Sequence, residues 1–516
     1  MTTSANNKKI VKNTLALYFR QIITMFVALF TSRIVLQTLG VTDYGINNVV
    51  GGVVAMFGFI SGTLMGITQR FISVELGKGG DETVLRKIFS TSMILHVVAA
   101  VVVIILAQTV GLWFLNTHLV IPEDRMIAAN WVYQFAVFGF ALTLLNAPLT
   151  ALIISHEDMH IYGYMGIFDV VVRLLTVYLL VVVSGDKLIF LAMFGFGVTF
   201  LVWLFYRFYC RWKYKYARFQ WGWDKALVRE ISGFGGYTFV NNVLGILIIQ
   251  GITIMLNIFF GPAVNAARGL ANAVNTALLS FGNNFRVTLT PQITMAYAAN
   301  NMGTTWSLVE RGTRMYYFLF FILSLPLLLE TEFILKLWLG NVPEYTVIFT
   351  QFMIVNALMG TFLSTFWTVV SASGKLKIMY PIIWLSFILT LFFSYLTLRM
   401  GYPPQSVFVV QFVIQFVIFN PIFLLLAKKL YRFPIRFFAQ KALAPIFLVS
   451  MISFSPFYFG NKLFLEPILH SFITIITSTL WTSVVIMFVG LRKSERIKVV
   501  DFVKRKIGKG NYENKH

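Results

Sequence analysis

The chain has 516 residues, of which 58% are hydrophobic, 16% aromatic and only 12% charged. Soluble domains run at about 45–50% apolar and about 25% charged, so this composition excludes a water-soluble fold, and with it coiled-coil, collagen-like and largely disordered designs. A net charge of +22 would point to nucleic acid in a soluble protein; here its distribution along the chain decides.

Lys8, Lys9 and Lys12 precede the first apolar stretch. That stretch contains Arg20 and Arg33, is too long for a signal peptide and lacks a small-residue cleavage site, so it reads as a first span. Hydropathy places further spans near 45–69, 88–115, 126–153, 162–183, 188–206, 231–260, 264–294, 315–335, 345–370, 378–398, 406–427, 442–459 and 467–490, making fourteen with 13–38. The fold class expected is an all-α polytopic membrane protein. Gly233, Gly235, Gly236, Gly261 and Pro262 interrupt the pattern between 231 and 294. Two helices with a tight turn at Gly261-Pro262 fit there, since membrane helices tolerate Gly and Pro where neighbours satisfy the freed backbone.

With the N-terminus inside, 32 of the 42 Lys and Arg fall in inner segments, 5 in outer loops and 5 within spans. That bias sets both termini on the cytoplasmic side. The positive charge sits in loops such as 211–218 and in the tail from Arg492, where anionic lipid headgroups are the ordinary partner and no nucleic acid is needed. The single Cys210 excludes an intramolecular disulfide.

Leu39-Gly40 opens a segment leading to Asn47 and Asn48; Phe260-Gly261 opens another leading to Arg268 and Gly269, 221 residues later. Both follow a polar-flecked helix and enter one rich in small residues and amides. Spans 1–6 and 7–12 then form two six-helix lobes of like orientation, related by a pseudo-two-fold along the membrane normal. The division expected is an N-lobe over 1–210, a basic aromatic linker over 211–230, a C-lobe over 231–441, two extra helices over 442–490 and a basic tail over 491–516.

The segments TLGVTDYGINNVV (38–50), TQRFISVELG (68–77), NAPLTALIISHEDMHIYGYMGIFDVVVRLL (146–175) and VNAARGLANAVNTALLSFGNNFRVTLTPQITMAYA (264–298) resemble those of bacterial polysaccharide flippases of the O-antigen type. These belong to the multidrug/oligosaccharidyl-lipid/polysaccharide exporter superfamily. The resemblance implies two lobes around a central cavity, an undecaprenyl-pyrophosphate-linked oligosaccharide as substrate, and a bacterial inner-membrane location beside other polysaccharide assembly proteins. It is specific to the family and not to any one glycan.

Ionisable residues inside spans are functional candidates, since each costs about 2.5–3.5 kcal/mol at the helix centre on insertion scales. They are Arg20, Arg33, Asp169, Arg173, Arg268 and Arg286. Five cations against one anion suit an anionic headgroup, and the guanidinium fork matches phosphate oxygens. Arg173 lies near the midplane, with Asp169 one turn away as a pairing or gating partner. Arg33 and Arg268 can alternatively snorkel to the outer interface, Arg286 can snorkel inward, and Asp169 with Arg173 can be a structural clamp. Asn241, Asn242, Asn272 and Asn275, with Gln21, Asn47, Asn48, Gln69, Gln250, Asn283 and Asn284, suit sugar hydroxyls or pyrophosphate oxygens; interhelical amide bonding is the alternative. Glu330 and Glu332, near the outer end of the ninth span, are ion or proton sites or simply interfacial.

The run from His156 to His160 matches H-E-x-x-H, but it lies in a short turn and no further His follows until His470, so no metal site is expected. No P-loop and no catalytic triad stands out, and outer loops of about a dozen residues are too short for an enzyme domain. The chain therefore reads as a flippase without cofactor, with proton or sodium coupling left open. The alternatives are an ion-coupled drug exporter of the same superfamily and a membrane polysaccharide polymerase or ligase. The charge bias makes a direct prediction: a topology reporter after residue 516 reads cytoplasmic and one in the 117–123 loop reads external. A periplasmic C-terminus would require an odd span count and remove the basis for two like-oriented lobes.

Overall fold

The computed structural model describes residues 3–217, 236–373, 376–459 and 467–497, with side chains described from residue 23. The described residues are helices and short connections, so the fold is that of an all-α polytopic membrane protein. Among them, 12 helices are long and apolar enough to cross a membrane.

In chain order the long helices are α1 (Thr3–Ala55), α2 (Gly58–Gly77), α3 (Glu82–Thr117), α4 (Met126–Ser155), α5 (Met159–Val182), α6 (Lys187–Lys213), α7 (Gly236–Phe260) and α8 (Pro262–Ala298). They continue as α9 (Met302–Leu329), α10 (Thr346–Gly360), α11 (Leu376–Arg399), α12 (Ser406–Tyr431), α13 (Ile435–Phe457) and α14 (Ile468–Gly490). The expectation of fourteen spans differs from the apolar set at α2 and α8. Both are long enough, at 20 and 37 residues. Arg70, Glu75 and several hydroxyls make α2 polar, and two arginines and many amides do the same for α8. The linker beyond Ala217 and the tail beyond Ile497 lie outside the described residues.

The boundaries follow local chemistry. Gly40, at φ 79° and ψ 174°, divides α1 into two helical arms. Gly261 has φ 79° as well and separates α7 from α8. Positive φ is strained for side-chain-bearing residues and free for Gly. Pro262 then sits at the first helical position, where its missing N–H is no loss. The two glycines that the sequence pattern pairs thus share a positive φ. Asp81 caps α3, accepting from Thr83 N at 2.7 Å, and Asp186 caps α6, accepting from Leu188 N at 3.0 Å.

Two compact units divide the chain: Met1–Val274 with Asn341–Phe349 and Lys377–Ile414, and Asn275–Gly340 with Thr350–Leu376 and Gln415–His516. In the first, α4 is central and packs on α1, α2, α3 and α6. Ile46, Val49, Val50 and Val53 of α1 meet Ala128, Ala129, Val132 and Tyr133 of α4 in one buried cluster. The buried Tyr133 hydroxyl donates to Ala107 O at 2.7 Å, where α3 widens into a π-turn over Ala107–Gly111.

Within the same unit the second arm of α1 touches the start of α8. A Cβ on Gly45 would lie 1.9 Å from the Pro262 carbonyl oxygen, and one on Gly269 would lie 2.7 Å from the Asn48 amide. Asn257 accepts from Val120 N at 2.9 Å and donates to Val120 O at 3.2 Å. Gly45 therefore holds a close approach that a methyl group would prevent, whereas a Cβ on Gly51 would meet nothing within 4 Å. Gly45→Ala is expected to lower the apparent melting temperature and abundance. Gly51→Ala should leave both unchanged or raise stability by up to about 1 kcal/mol, the helix preference of Ala over Gly. Thermal unfolding of the two purified variants checks this, and equal behaviour would remove the steric account of Gly45.

Candidate functional site

A cavity of about 420 Å³ lies inside the first unit, walled by α1, α4, α5 and α6. Arg173 on α5 is its cationic group. Its Nε donates to Asp169 Oδ1 at 3.0 Å and its Nη2 donates to Thr199 Oγ1 of α6 at 3.3 Å. The pair spans one helical turn, as the i, i+4 spacing requires. The Arg173 side chain keeps 45% of its surface exposed, so the guanidinium is held from one side and accessible from another. Asn47 and Asn48 of α1 also line the cavity, and no Asp or Glu does.

The other residues singled out from sequence are dispersed. The side chain of Arg20, and those of Gln21, Asn283 and Asn284, lie outside the described residues. Arg33 on α1 is half-buried and does not line the cavity. Arg268 is buried and turned onto α7, donating to Thr253 Oγ1 at 2.8 Å and to Ile249 O at 3.0 Å. It clasps two helices instead of snorkelling. Arg286 is half-buried in the second unit beside Tyr316. Asn242 donates to Thr63 Oγ1 at 3.2 Å, which is interhelical bonding. Asn241 and Asn275 each keep a buried amide oxygen without a partner among the described residues, and Asn272 is exposed.

The H-E-x-x-H run does not lie on one helix. His156 follows the end of α4, Glu157 has φ 58°, and α5 begins at Met159. His156 Nδ1 donates to Leu152 O at 2.9 Å, so Nε2 is the acceptor for the Tyr216 hydroxyl at 3.0 Å. With the Tyr214 hydroxyl donating to Asp158 at 2.6 Å, these contacts fasten the α4–α5 turn to the end of α6. Glu332 pairs with Lys336 at the surface, and Glu330 accepts from Ser471 Oγ at 2.7 Å.

Two charge clusters escape sequence reading. Arg125 donates to both oxygens of Asp43, at 2.8 and 2.6 Å, and to both of Asp186, at 2.7 and 3.0 Å. It binds the second arm of α1, the entry to α4 and the cap of α6, the ends that the charge bias places outside. In the second unit, Arg314 is 2% exposed and its Nη2 donates to both Glu495 oxygens at 2.7 Å. Arg492 donates to Glu310 Oε2 at 2.6 Å, and Arg311 lies 3.3 Å from Glu495. This network fastens the residues following α14 to α9. The only sequence signal is an unmatched charge, near helix ends for Arg125 and Asp186 and within α9 for Glu310 and Arg314.

No family model matches the chain, and no curated protein matches it. Solved structures do. One is the lipid II flippase MurJ in an inward closed conformation, with TM-score 0.65 and 13% identity, covering 92% of this chain and 98% of that one. An inward-facing multidrug resistance MATE family transporter of the MOP superfamily gives TM-score 0.61 at 10% identity, covering 77% of this chain and 91% of that one. A variant of the Vibrio cholerae MATE transporter VcmN gives TM-score 0.56 at 16% identity, covering 83% and 98%. The chain thus has the fold shared by MurJ and MATE transporters. The neighbours are transporters, not enzymes.

Burial of Asp186 opposes its ionisation, but the Arg125 guanidinium and the Ile189 and Leu188 amides outweigh it and hold the carboxyl below the usual carboxylate range. Its contribution is then full above the unfolded value of about 3.9 and is lost as pH falls through the lower folded value. Thermal unfolding between about pH 3 and pH 7 should show the wild type losing stability at the acid end. Asp186→Asn should start lower at neutral pH and vary less. A variant curve parallel to the wild type would assign the acid loss to other carboxylates.

Proposed function

We propose that the protein is a flippase that moves undecaprenyl-pyrophosphate-linked oligosaccharide from the inner to the outer leaflet of the bacterial cytoplasmic membrane by alternating access. The observation that carries this reading is Arg173: a half-accessible guanidinium in a polar cavity whose lining contains no carboxylate. A cation there attracts an anion, and a guanidinium presents paired donors to phosphate oxygens. Arg20, Arg33 and Arg286 are assigned to the headgroup path on the strength of the residues alone, with Asn241, Asn272 and Asn275 as polar support, while Arg268 and Asn242 are left to fasten helices. The lobes are assigned as 1–210 and 231–441, both termini to the cytoplasm, and the lipid tail to the surrounding bilayer. No cofactor is invoked; a proton or sodium gradient is the coupling to test.

The same fold serves the MATE transporters, and an ion-coupled drug exporter is the second reading. A site for cationic drugs calls for acidic lining, which supports the flippase over the exporter. Reconstitution with defined lipid-linked glycans, with and without an ion gradient, separates them: translocation of a cationic drug but of no glycan would replace the first reading with the second.

Asp169 holds Arg173 at rest, and an arriving pyrophosphate competes for it. Arg173→Ala should reduce flipping by about tenfold or more at normal abundance, the scale of losing one charge-assisted contact. Arg173→Lys should rescue partly, because an ammonium lacks the fork. Asp169→Asn should keep or tighten binding and change turnover. Restored transport in the exchanged double variant, Asp169→Arg with Arg173→Asp, would reduce the pair to a structural clamp.

A further inference from the structure

We infer that the cavity in the first unit is a subsite for a single sugar ring of the substrate, with Arg173 meeting the anionic group beside it; the inference rests on the flippase reading. The polarity of the wall carries it. Ser32 donates its hydroxyl hydrogen to Ala28 O at 2.9 Å, Thr143 to Gly139 O at 3.1 Å, Thr176 to Arg173 O at 2.7 Å and Thr199 to Gly195 O at 3.0 Å. Asn48 likewise spends an amide hydrogen on Tyr44 O at 2.8 Å. All five line the cavity. The four hydroxyl hydrogens and one of the two Asn48 amide hydrogens are consumed within their own helices, so these side chains offer the cavity chiefly oxygen lone pairs, of which Thr199 already gives one to Arg173. An acceptor-rich wall suits a ligand that brings O–H donors. A pyrophosphate, rich in acceptors and poor in donors, matches Arg173 and not these five side chains.

Shape agrees with polarity. Phe135 and Phe196 line the cavity, with ring centroids 6.0 Å apart and planes inclined by 40°, and they provide an apolar surface for the C–H face of a ring. Gly51 and Gly195 also line it, and a Cβ on either would meet nothing within 4 Å. Gly in a helix interior costs about 1 kcal/mol relative to Ala. Packing does not require it at these two positions; the space that it leaves belongs to the cavity. The volume of about 420 Å³ falls within the range of small-molecule sites, about 300–1,000 Å³.

The test fills the space without disturbing the fold. Full-length wild type, Gly195→Leu and Gly51→Leu are compared for binding of undecaprenyl pyrophosphate and of the same lipid carrying one sugar. Melting temperatures are measured alongside. Wild type is expected to bind the glycosylated lipid more tightly. The leucine variants should lose about tenfold or more of that affinity, keep their affinity for the bare lipid and melt no lower than wild type. Thr143→Val, which keeps the shape and removes an acceptor, should lose several-fold for the glycosylated lipid alone and serves if a leucine variant misfolds. Equal loss for both lipids would hand the cavity to the pyrophosphate, and no loss for either would show that it holds no ligand; both overturn the sugar subsite. Wild type that binds the two lipids equally refutes the subsite while the flippase reading stands. Wild type that binds neither refutes the flippase reading, and the subsite with it.

Discussion

In hydrocarbon a polar group has no water to fall back on, and every donor or charge must be satisfied by the protein itself. Three described arginines meet that constraint in different ways. Arg268 spends its guanidinium on a threonine and a backbone carbonyl of α7. Arg314 is enclosed between Glu310 and Glu495. Arg173 bonds to Asp169 and Thr199 and stays accessible. A buried guanidinium fastens helices together. An accessible one retains binding capacity, and exposure distinguishes Arg173 from Arg268 and Arg314.

The same constraint explains how one set of helix ends in the first unit is held. Arg125 joins Asp43 and Asp186, the latter already capping α6, so one guanidinium coordinates three helix ends. Charged pairs at this partly exposed depth are screened and individually weak. Their value here lies in geometry: four hydrogen bonds from one planar group fix the position of Asp43, three residues beyond the break at Gly40.

Spans dominated by apolar side chains were legible in the sequence. The expectation of 126–153 corresponds to Met126–Ser155, and 162–183 to Met159–Val182. The glycine turns were legible too, because positive φ leaves few other residue types. Legibility failed where charge entered a helix. The ninth span was expected from 315, but α9 begins at Met302 and buries Glu310 and Arg314, which depress any hydropathy average over that stretch. Their partner Glu495 lies 181 residues from Arg314. The second span was expected to run unbroken over 45–69; a turn at Met56 and Phe57 divides it, with no Pro to announce the break. At the site, the Asp169–Arg173 spacing gave the pair correctly, and the cavity adds Asn47 and Asn48 to Arg173. No pattern along the chain could reveal that the surrounding hydroxyls turn their hydrogens inward to their own helices.

The contact between the second arm of α1 and the start of α8 has a consequence for how this chain can change over generations. Gly45 abuts a backbone oxygen, and Gly269 abuts the side-chain amide of Asn48. A methyl group arising at 269 can be accommodated by shortening residue 48, so the second site can drift in partnership with the first. A methyl group at 45 meets an atom that every amino acid at 262 would also place there. No replacement at 262 removes that oxygen, and a suppressor of a change at 45 must act by moving the helix.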